Sequence, residues 1–318
     1  MSTKKEISNL IIKRQNLSPY WSEVFLSEEK TLFENLGLQY LSPHAPSDAE
    51  FDILITNTHT DFSTFSAEQI KRLKLVMHPN SGYDNFPMPF VKQLEAPIVL
   101  GNSLRAQAVS EVILSELFAR YSLSQNHLTW DKERKWPRKL LSDQKVLIIG
   151  MGMIGNTLYQ SLMPFVTDLL LYDPFKGYND LPGDQVDVIL LAASLNPLSK
   201  NIINTLFLNH LKDDGTLINC ARGELVDQNA LWHFLDQHPN AYAYLDVFAT
   251  EPQPLEKIQR PNLKTTSHIA GVHEQLENKT RDFLKNVTTN FLSMNLDDFK
   301  SHYAPIILQN RIHDHFLI

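Results

Sequence analysis

The chain has 318 residues, of which 43% are hydrophobic and 20% charged, with a formal net charge of −7. That balance, without any dense Lys/Arg block, excludes a nucleic-acid surface, and the length favours two domains over one. The one cysteine, Cys220, excludes an intrachain disulfide; no apolar run reaches membrane-span length and the N-terminus has no continuous signal core, so a reducing, cytoplasmic setting is expected.

In chain order, the first hundred residues alternate short apolar runs with helical patterns. Strands are expected at 8–14 (SNLIIKR), 38–41 (LQYL), 51–56 (FDILIT), 74–78 (KLVMH) and 97–101 (PIVLG). Between them, SEEKTLFENLG reads as a helix with Ser27 as N-cap and Gly37 as stop, and SAEQIKRL at 66–73 has a similar start. Tyr20, Trp21 and Phe25 carry helical spacing and are expected in the core. A long helix without Pro or Gly follows at 104–123, and then a polar connector, whose mixed run at 131–139 reads as solvated loop. From 145 the alternation restarts with KVLIIG, DLLLYD, VDVILLAA, GTLINC, AYAYLDV and LKTTSH. Strands alternating with helices imply mainly parallel sheets covered on both faces. The expected class is α/β, with two doubly wound parallel-sheet domains. One comprises 1–102, completed by 287–318 after a last long helix (EQLENKTRDFLKNVTTNFLSM); the other comprises 103–286.

The run KVLIIGMGMIGNTLYQSL places Gly150, Gly152 and Gly155 in G-x-G-x-x-G spacing after a buried strand and before a helix. The first glycine permits a tight turn, the second lets a pyrophosphate approach the backbone, and the third lets helix and strand pack closely. The helix N-terminus offers free N–H groups to the phosphates. Asp173 ends the next strand, at about the 20-residue spacing from which a carboxylate binds the ribose hydroxyls of the adenosine. It would repel a 2′-phosphate, so NAD is favoured over NADP, with Lys176 close enough to soften that preference.

Arg222, Glu251 and His268 each stand just past an apolar run. Carboxyl ends of strands border the ligand crevice of a doubly wound sheet, so the three are candidates for one cleft. Taken singly, Arg222 also fits a carbonyl cap or an ion pair with Glu224, Glu251 an exposed turn, and His268 a structural histidine. Cys220 reads as a small buried hydrophobe. At the C-terminus, His313 and His315 flank Asp314, but no fourth ligand is evident and no metal is expected.

The segment from about 145 to 275 resembles the NAD-dependent D-isomer-specific 2-hydroxyacid dehydrogenases. The resemblance is carried by GMGMIG, YDP at 172–174, INCARGELVDQNAL at 218–231, LDVFATEP at 245–252 and SHIAG at 267–271, with weaker echoes in NSGYDNF at 80–86 and AVSE at 108–111. It implies a Rossmann dinucleotide-binding domain and a flavodoxin-like substrate domain, with the chemistry in the cleft between them and hinge closure excluding water. It implies that His268 is the general acid/base and that Glu251 hydrogen-bonds its other ring nitrogen, favouring the protonated form. Arg222 would bind the substrate carboxylate and carbonyl, and backbone amides around Ser81, Gly82 and Tyr83 would complete the carboxylate cradle. Met153, Ile154, Ala193, Cys220, Ala221, Asp246, His268 and Gly271 would border the dinucleotide beside the three glycines and Asp173, with Asp246 near the nicotinamide carboxamide. Three departures stand out: Ser267 where the family usually has Pro, LAASLNP at 191–197, and a short loop after Asn102 that lacks glycine and holds Arg105.

The expected activity is hydride transfer between NAD(H) and a small 2-hydroxy/2-keto acid, of glyoxylate/hydroxypyruvate type or another keto acid, the D isomer resting on the resemblance. The alternative is an NADH-sensing binding protein, similar to corepressors that keep the dehydrogenase fold. The stripe Val109, Val112, Ile113, Leu117 and Phe118 on the 104–123 helix suggests a homodimer seam.

Overall fold

The computed structural model describes residues 10–18, 21–122, 132–133, 138–313 and 316–317. The chain divides into two units: Met1–Arg105 with His273–Ile318, and Ala106–Val272. The sequence reading puts those breaks at 102/103 and 286/287. The first break falls inside the long helix Ser103–Ser122, where no turn residue marks it.

The first unit holds five parallel strands: β1 (Ile11–Arg14), β2 (Gln39–Leu41), β3 (Ile53–Ile55), β4 (Leu75–His78) and β5 (Ile98–Leu100), in the order β2-β1-β3-β4-β5. This is the flavodoxin-like order, whose switch point lies between β1 and β3. Residues 8 and 9 of the first expected strand and Tyr20 lie outside the described residues; Trp21 and Phe25 are buried as expected. β3, β4 and β5 are buried on both faces, while the edge strand β2 is partly exposed. One face packs Ile53, Ile55, Leu75 and Met77 against Leu284 and Val287 of the helix Leu276–Ser293, and the other packs Leu54, Val76 and Ile98 against Phe90 and Leu308. The C-terminal segment also finishes the β5 edge. Gln309 donates to Ala96 O (2.8 Å) and accepts from Ile98 N–H (3.0 Å), and Ile307 bridges antiparallel to Val99. An unpaired sheet edge is thereby covered.

The first helix corrects one expectation. It spans Glu23–Asn35, with Ser22 rather than Ser27 as N-cap, its side chain accepting from Phe25 N–H at 3.3 Å. Phe25 and Leu26 belong to the buried face, so the helix begins before Ser27, whose carbonyl instead accepts the Thr31 hydroxyl. Gly37 ends it with φ +80°, as expected of a helix stop. The helix Ala67–Arg72 starts on a full capping box between Ser66 and Gln69.

The second unit carries β6 (Lys145–Ile149), β7 (Asp168–Tyr172), β8 (Val186–Leu191), β9 (Leu211–Asn219), β10 (Tyr242–Leu245) and β11 (Leu263–Thr265). All pair in parallel, in the order β11-β10-β9-β8-β6-β7, with the switch between β6 and β8. Every residue of β8 is buried, Asp187 included, and the rest of the strand is apolar. The long helix spends much of its apolar stripe here. Val109, Ile113, Leu117 and Tyr121 are buried against Ile148, Leu158 and Val188, while Val112 and Phe118 stay half-buried. Each fully buried leucine or isoleucine contributes roughly 2 kcal/mol.

Arg14 and Glu29 form a fully buried ion pair in the first unit, with Nε donating to Oε1 at 2.6 Å and Nη2 to Oε2. Tyr40 donates a third bond to Glu29 at 2.7 Å, and the guanidinium lies 4.9 Å from the Trp21 ring centre. Burial, and then the Glu29 charge, push the Tyr40 hydroxyl well above the ordinary tyrosine range. Removing one partner strands the other charge. Glu29→Ala should therefore lower unfolding free energy by about 3–5 kcal/mol in urea titration, far more than any exposed Glu→Ala change.

Candidate active site

The glycine turn follows β6 at the switch point. Gly150 has φ +94°, and a Cβ there would lie 2.4 Å from Ala193 Cα, so the turn sits directly against the chain leaving β8. A Cβ on Gly155 would lie 1.9 Å from Gly150 O, so the helix Met153–Leu162 closes onto the turn itself. At Gly152 the same test finds nothing within 4 Å. Close contact behind and open space at the helix N-cap suit an approaching pyrophosphate, and the residues present fit a dinucleotide. Met153 opens the helix and is exposed, whereas Ile154 packs on the core.

Asp173 leaves β7 pointing back at this turn, its Oδ2 accepting Met151 N–H at 2.7 Å. Lys176 also reaches the turn, donating to Met151 O at 2.6 Å. Asn156, which the sequence reading passed over, donates to Met151 O and Gly152 O (2.8 and 2.9 Å). Its only signal was an amide side chain one turn past the second glycine.

The second group gathers at the carboxyl ends of β9, β10 and β11. Gly223 explains why arginine and glycine are adjacent: a Cβ there would lie 1.8 Å from the Phe248 carbonyl carbon. Only a bare backbone passes, which brings Arg222 beside the turn that carries Glu251. Asn219 fixes the same corner, accepting from Ala221 N–H (3.0 Å) and donating to Arg222 O (2.9 Å). Glu251 accepts from Phe248 N–H at 3.0 Å with one oxygen and contacts His268 Nδ1 at 2.8 Å with the other. A carboxylate only accepts, so Nδ1 carries a proton and Nε2 is the nitrogen presented onward. Burial alone pushes the Glu251 carboxyl up. The bonds from His268 and Phe248, with the charges of His268 and Arg222, outweigh that and hold it below the usual carboxylate value.

His268 adopts φ +59°, a conformation that costs a residue with a side chain. Asp246, 1% exposed, compensates. Its carbonyl accepts His268 N–H (2.7 Å), Oδ1 accepts the Thr266 hydroxyl (2.6 Å) and Ile269 N–H (2.8 Å), and Oδ2 accepts Ala270 N–H (2.9 Å). Gly271 follows directly, half-buried. Tyr244 extends the network to Thr266 at 2.8 Å. Cys220 follows β9 and is buried, its thiol pushed up by burial and then by the charges of Asp246 and Glu116. The unit thus brings Arg222, Glu251 and His268 together around one turn, while Gly150–Gly155, Asp173 and Ala193 form the glycine-turn group.

Ser81, Gly82 and Tyr83 belong to the first unit, in the loop after β4. Tyr83 is buried. Among the described residues, no three His, Cys, Asp or Glu side chains gather as metal ligands, and no helix is long and apolar enough to cross a membrane. Of the C-terminal histidine group, residues 314 and 315 lie outside the described residues.

A doubly wound sheet with a glycine turn at its switch point, and an imidazole–carboxylate pair beside a guanidinium, defines a dinucleotide-dependent dehydrogenase. Residues 113–270 match the family described as "D-isomer specific 2-hydroxyacid dehydrogenase, NAD binding domain". The chain is similar to hydroxypyruvate reductase from Thermotoga maritima, 27% identical over 270 residues, covering 78% of this chain and 88% of that one. Its fold matches the D-lactate dehydrogenase of Aquifex aeolicus solved with NAD and lactic acid, with a TM-score of 0.70 at 18% identity, covering 92% and 98% of the two chains. It also matches an NADPH-dependent glyoxylate/hydroxypyruvate reductase of Sinorhizobium meliloti solved with NADP and malonate, with a TM-score of 0.68 at 19% identity, covering 90% and 94%. The chain belongs to the D-isomer specific 2-hydroxyacid dehydrogenases and is an NAD-binding oxidoreductase.

The lowered Glu251 carboxyl has a pH signature. A folded value below the unfolded one contributes stability that is complete above about pH 4.3 and is lost as pH falls through the folded value. Glu251→Gln should therefore lower the urea midpoint at pH 7, and the gap to wild type should close as the titration series moves below about pH 4.

Proposed function

We propose that this protein reduces a small 2-keto acid to the D-2-hydroxy acid with NADH. The observation that carries the reading is the His268–Glu251 bond of 2.8 Å, formed where the Arg222 charge also bears on Glu251. Bound NADH supplies the hydride for the carbonyl carbon. His268, with Nδ1 held by Glu251, gives its Nε2 proton to the carbonyl oxygen, so that hydride and proton together yield the hydroxyl. Glu251 stabilises the imidazolium beforehand and keeps the ring from turning. Arg222 pairs its planar fork with the substrate carboxylate and polarises the carbonyl. In the first unit, the backbone amides of Ser81, Gly82 and Tyr83 are the donors proposed for a substrate carboxylate. Asp173 binds the adenosine ribose and disfavours a 2′-phosphate, and Asp246 lies near the carboxamide. Similarity to a hydroxypyruvate reductase over most of both chains favours hydroxypyruvate or glyoxylate as substrate.

The test is NADH oxidation at 340 nm with glyoxylate, hydroxypyruvate, pyruvate, phenylpyruvate and bulkier keto acids. Hydroxypyruvate or glyoxylate should give the highest kcat/KM, and His268→Ala should reduce it by at least about 100-fold. Asp173→Ala should raise the NADPH/NADH ratio of kcat/KM. Turnover of none of these acids, or full activity in His268→Ala, refutes the reading.

We also propose a homodimer. Phe165 is 51% exposed and meets the half-buried Phe118 edge-on at 5.3 Å, an apolar patch on the long helix's outer face. Light scattering at micromolar concentration should give twice the chain mass, and Phe165→Glu should halve it.

A further inference from the structure

His78 ends β4 with a fully buried ring whose two nitrogens serve different neighbours. Nδ1 lies 2.8 Å from Thr56 Oγ1, just past β3, and Nε2 lies 2.9 Å from Gly82 O. A carbonyl can only accept, so Nε2 carries a proton and donates to Gly82. The His78 carbonyl is engaged too, accepting from the N–H groups of Asn80 and Gly101, both at 2.7 Å. Phe86 stands edge-on to the imidazole at 5.0 Å and fixes its plane.

Two more anchors hold the same loop. Arg105 donates to Pro79 O at 2.7 Å; the helix begins at Ser103, so this arginine lies in its first turn, not in the loop expected after Asn102, and supports backbone. Gly101 comes so close that a Cβ would lie 2.7 Å from Pro79 Cα. A buried imidazole is an expensive way to fill a core position that leucine would fill, unless its hydrogen bonds matter. Here one of them ends on Gly82, in the middle of the segment assigned above to the substrate carboxylate. Ser81 and Gly82 themselves donate no backbone N–H to another described residue.

We propose that His78 is a positioning residue: its Nε2–H fixes the Gly82 carbonyl, so that the Ser81 and Gly82 amides meet the substrate carboxylate already ordered. The proposal rests on the keto-acid reading given above. A preformed loop is not reordered on binding, so losing the anchor weakens substrate affinity and leaves the chemical step alone.

The experiment compares His78→Leu, which fills the space without a donor, with His78→Gln, whose Nε2 reaches the position of the imidazole Nε2. In the leucine variant KM for hydroxypyruvate should rise about tenfold, with kcat within about threefold of wild type and the NADH Kd, read by fluorescence, unchanged. The glutamine variant should return KM to within about threefold of wild type. Amide hydrogen exchange of the peptide covering Ser81–Phe86 should accelerate in the leucine variant and not in the glutamine one. An unchanged KM, or a loss that glutamine does not recover, overturns the proposal. If the leucine variant does not fold, Thr56→Val decides by removing the hydroxyl facing Nδ1: a rise in KM of about threefold at constant kcat supports the role, and unchanged KM with unchanged exchange overturns it. If the wild-type protein turns over no 2-keto acid, the functional reading fails by itself. Exchange then decides whether His78 orders the loop, and unchanged protection in the variants overturns the role.

Discussion

The dehydrogenase unit depends on a buried carboxylate turned toward backbone. Asp246 collects two amide protons and a hydroxyl from the segment 266–270, and its carbonyl collects a third amide. Several N–H groups converging on one point are hard to satisfy with a neutral side chain, and a carboxylate does it with charge-assisted bonds. That convergence holds His268 in its left-handed conformation, and the imidazole then meets Glu251 from that fixed backbone. Tyr244 and Thr266 lengthen the chain of bonds, and such networks strengthen cooperatively in a low-dielectric interior. The strain at His268 is local, and so is its compensation.

Two other carboxylates show how partner choice sets the role. Glu251, exposed, spends one oxygen on an amide and the other on an imidazole, and it stays ionised because both partners and a nearby guanidinium favour charge. Glu29, wholly buried, is taken up by Arg14 and Tyr40 and is structural. The glycines act by what they omit. Gly223 lets Arg222 and the Phe248 turn touch backbone to backbone, and Gly155 does the same for the dinucleotide turn.

The alternation of strands and helices was legible because both sheets are parallel and their central strands are buried on two faces, so those strands read as mostly apolar runs. The glycine turn, Asp173, Arg222 and His268 stood out because each follows such a run within three residues, and Glu251 because it lies in the turn after β10. Ser27 misled as a cap because it, too, precedes a charged first turn, and only the burial of Phe25 and Leu26 moves the start back to Ser22. The break near 272 was not legible: the helix Leu276–Ser293 is amphipathic, and amphipathicity does not say against which sheet it packs. Nor was the Asp246 clamp, since its partners are mostly backbone amides, which every residue has. His78 was invisible for a related reason, because a histidine closing an apolar strand looks like ordinary core until its ring is found bonded four residues ahead.

The first unit is assembled from two distant stretches of chain, and the later one brings Leu284, Val287, Leu308 and the Gln309 clasp on β5. During synthesis on the ribosome, its early strands therefore emerge with an open flank and an incomplete interior. The Rossmann unit, contiguous from Ala106 to Val272, has every residue it needs while its neighbour is still waiting. The first unit can therefore close its β5 edge only once the segment after His273 has been made.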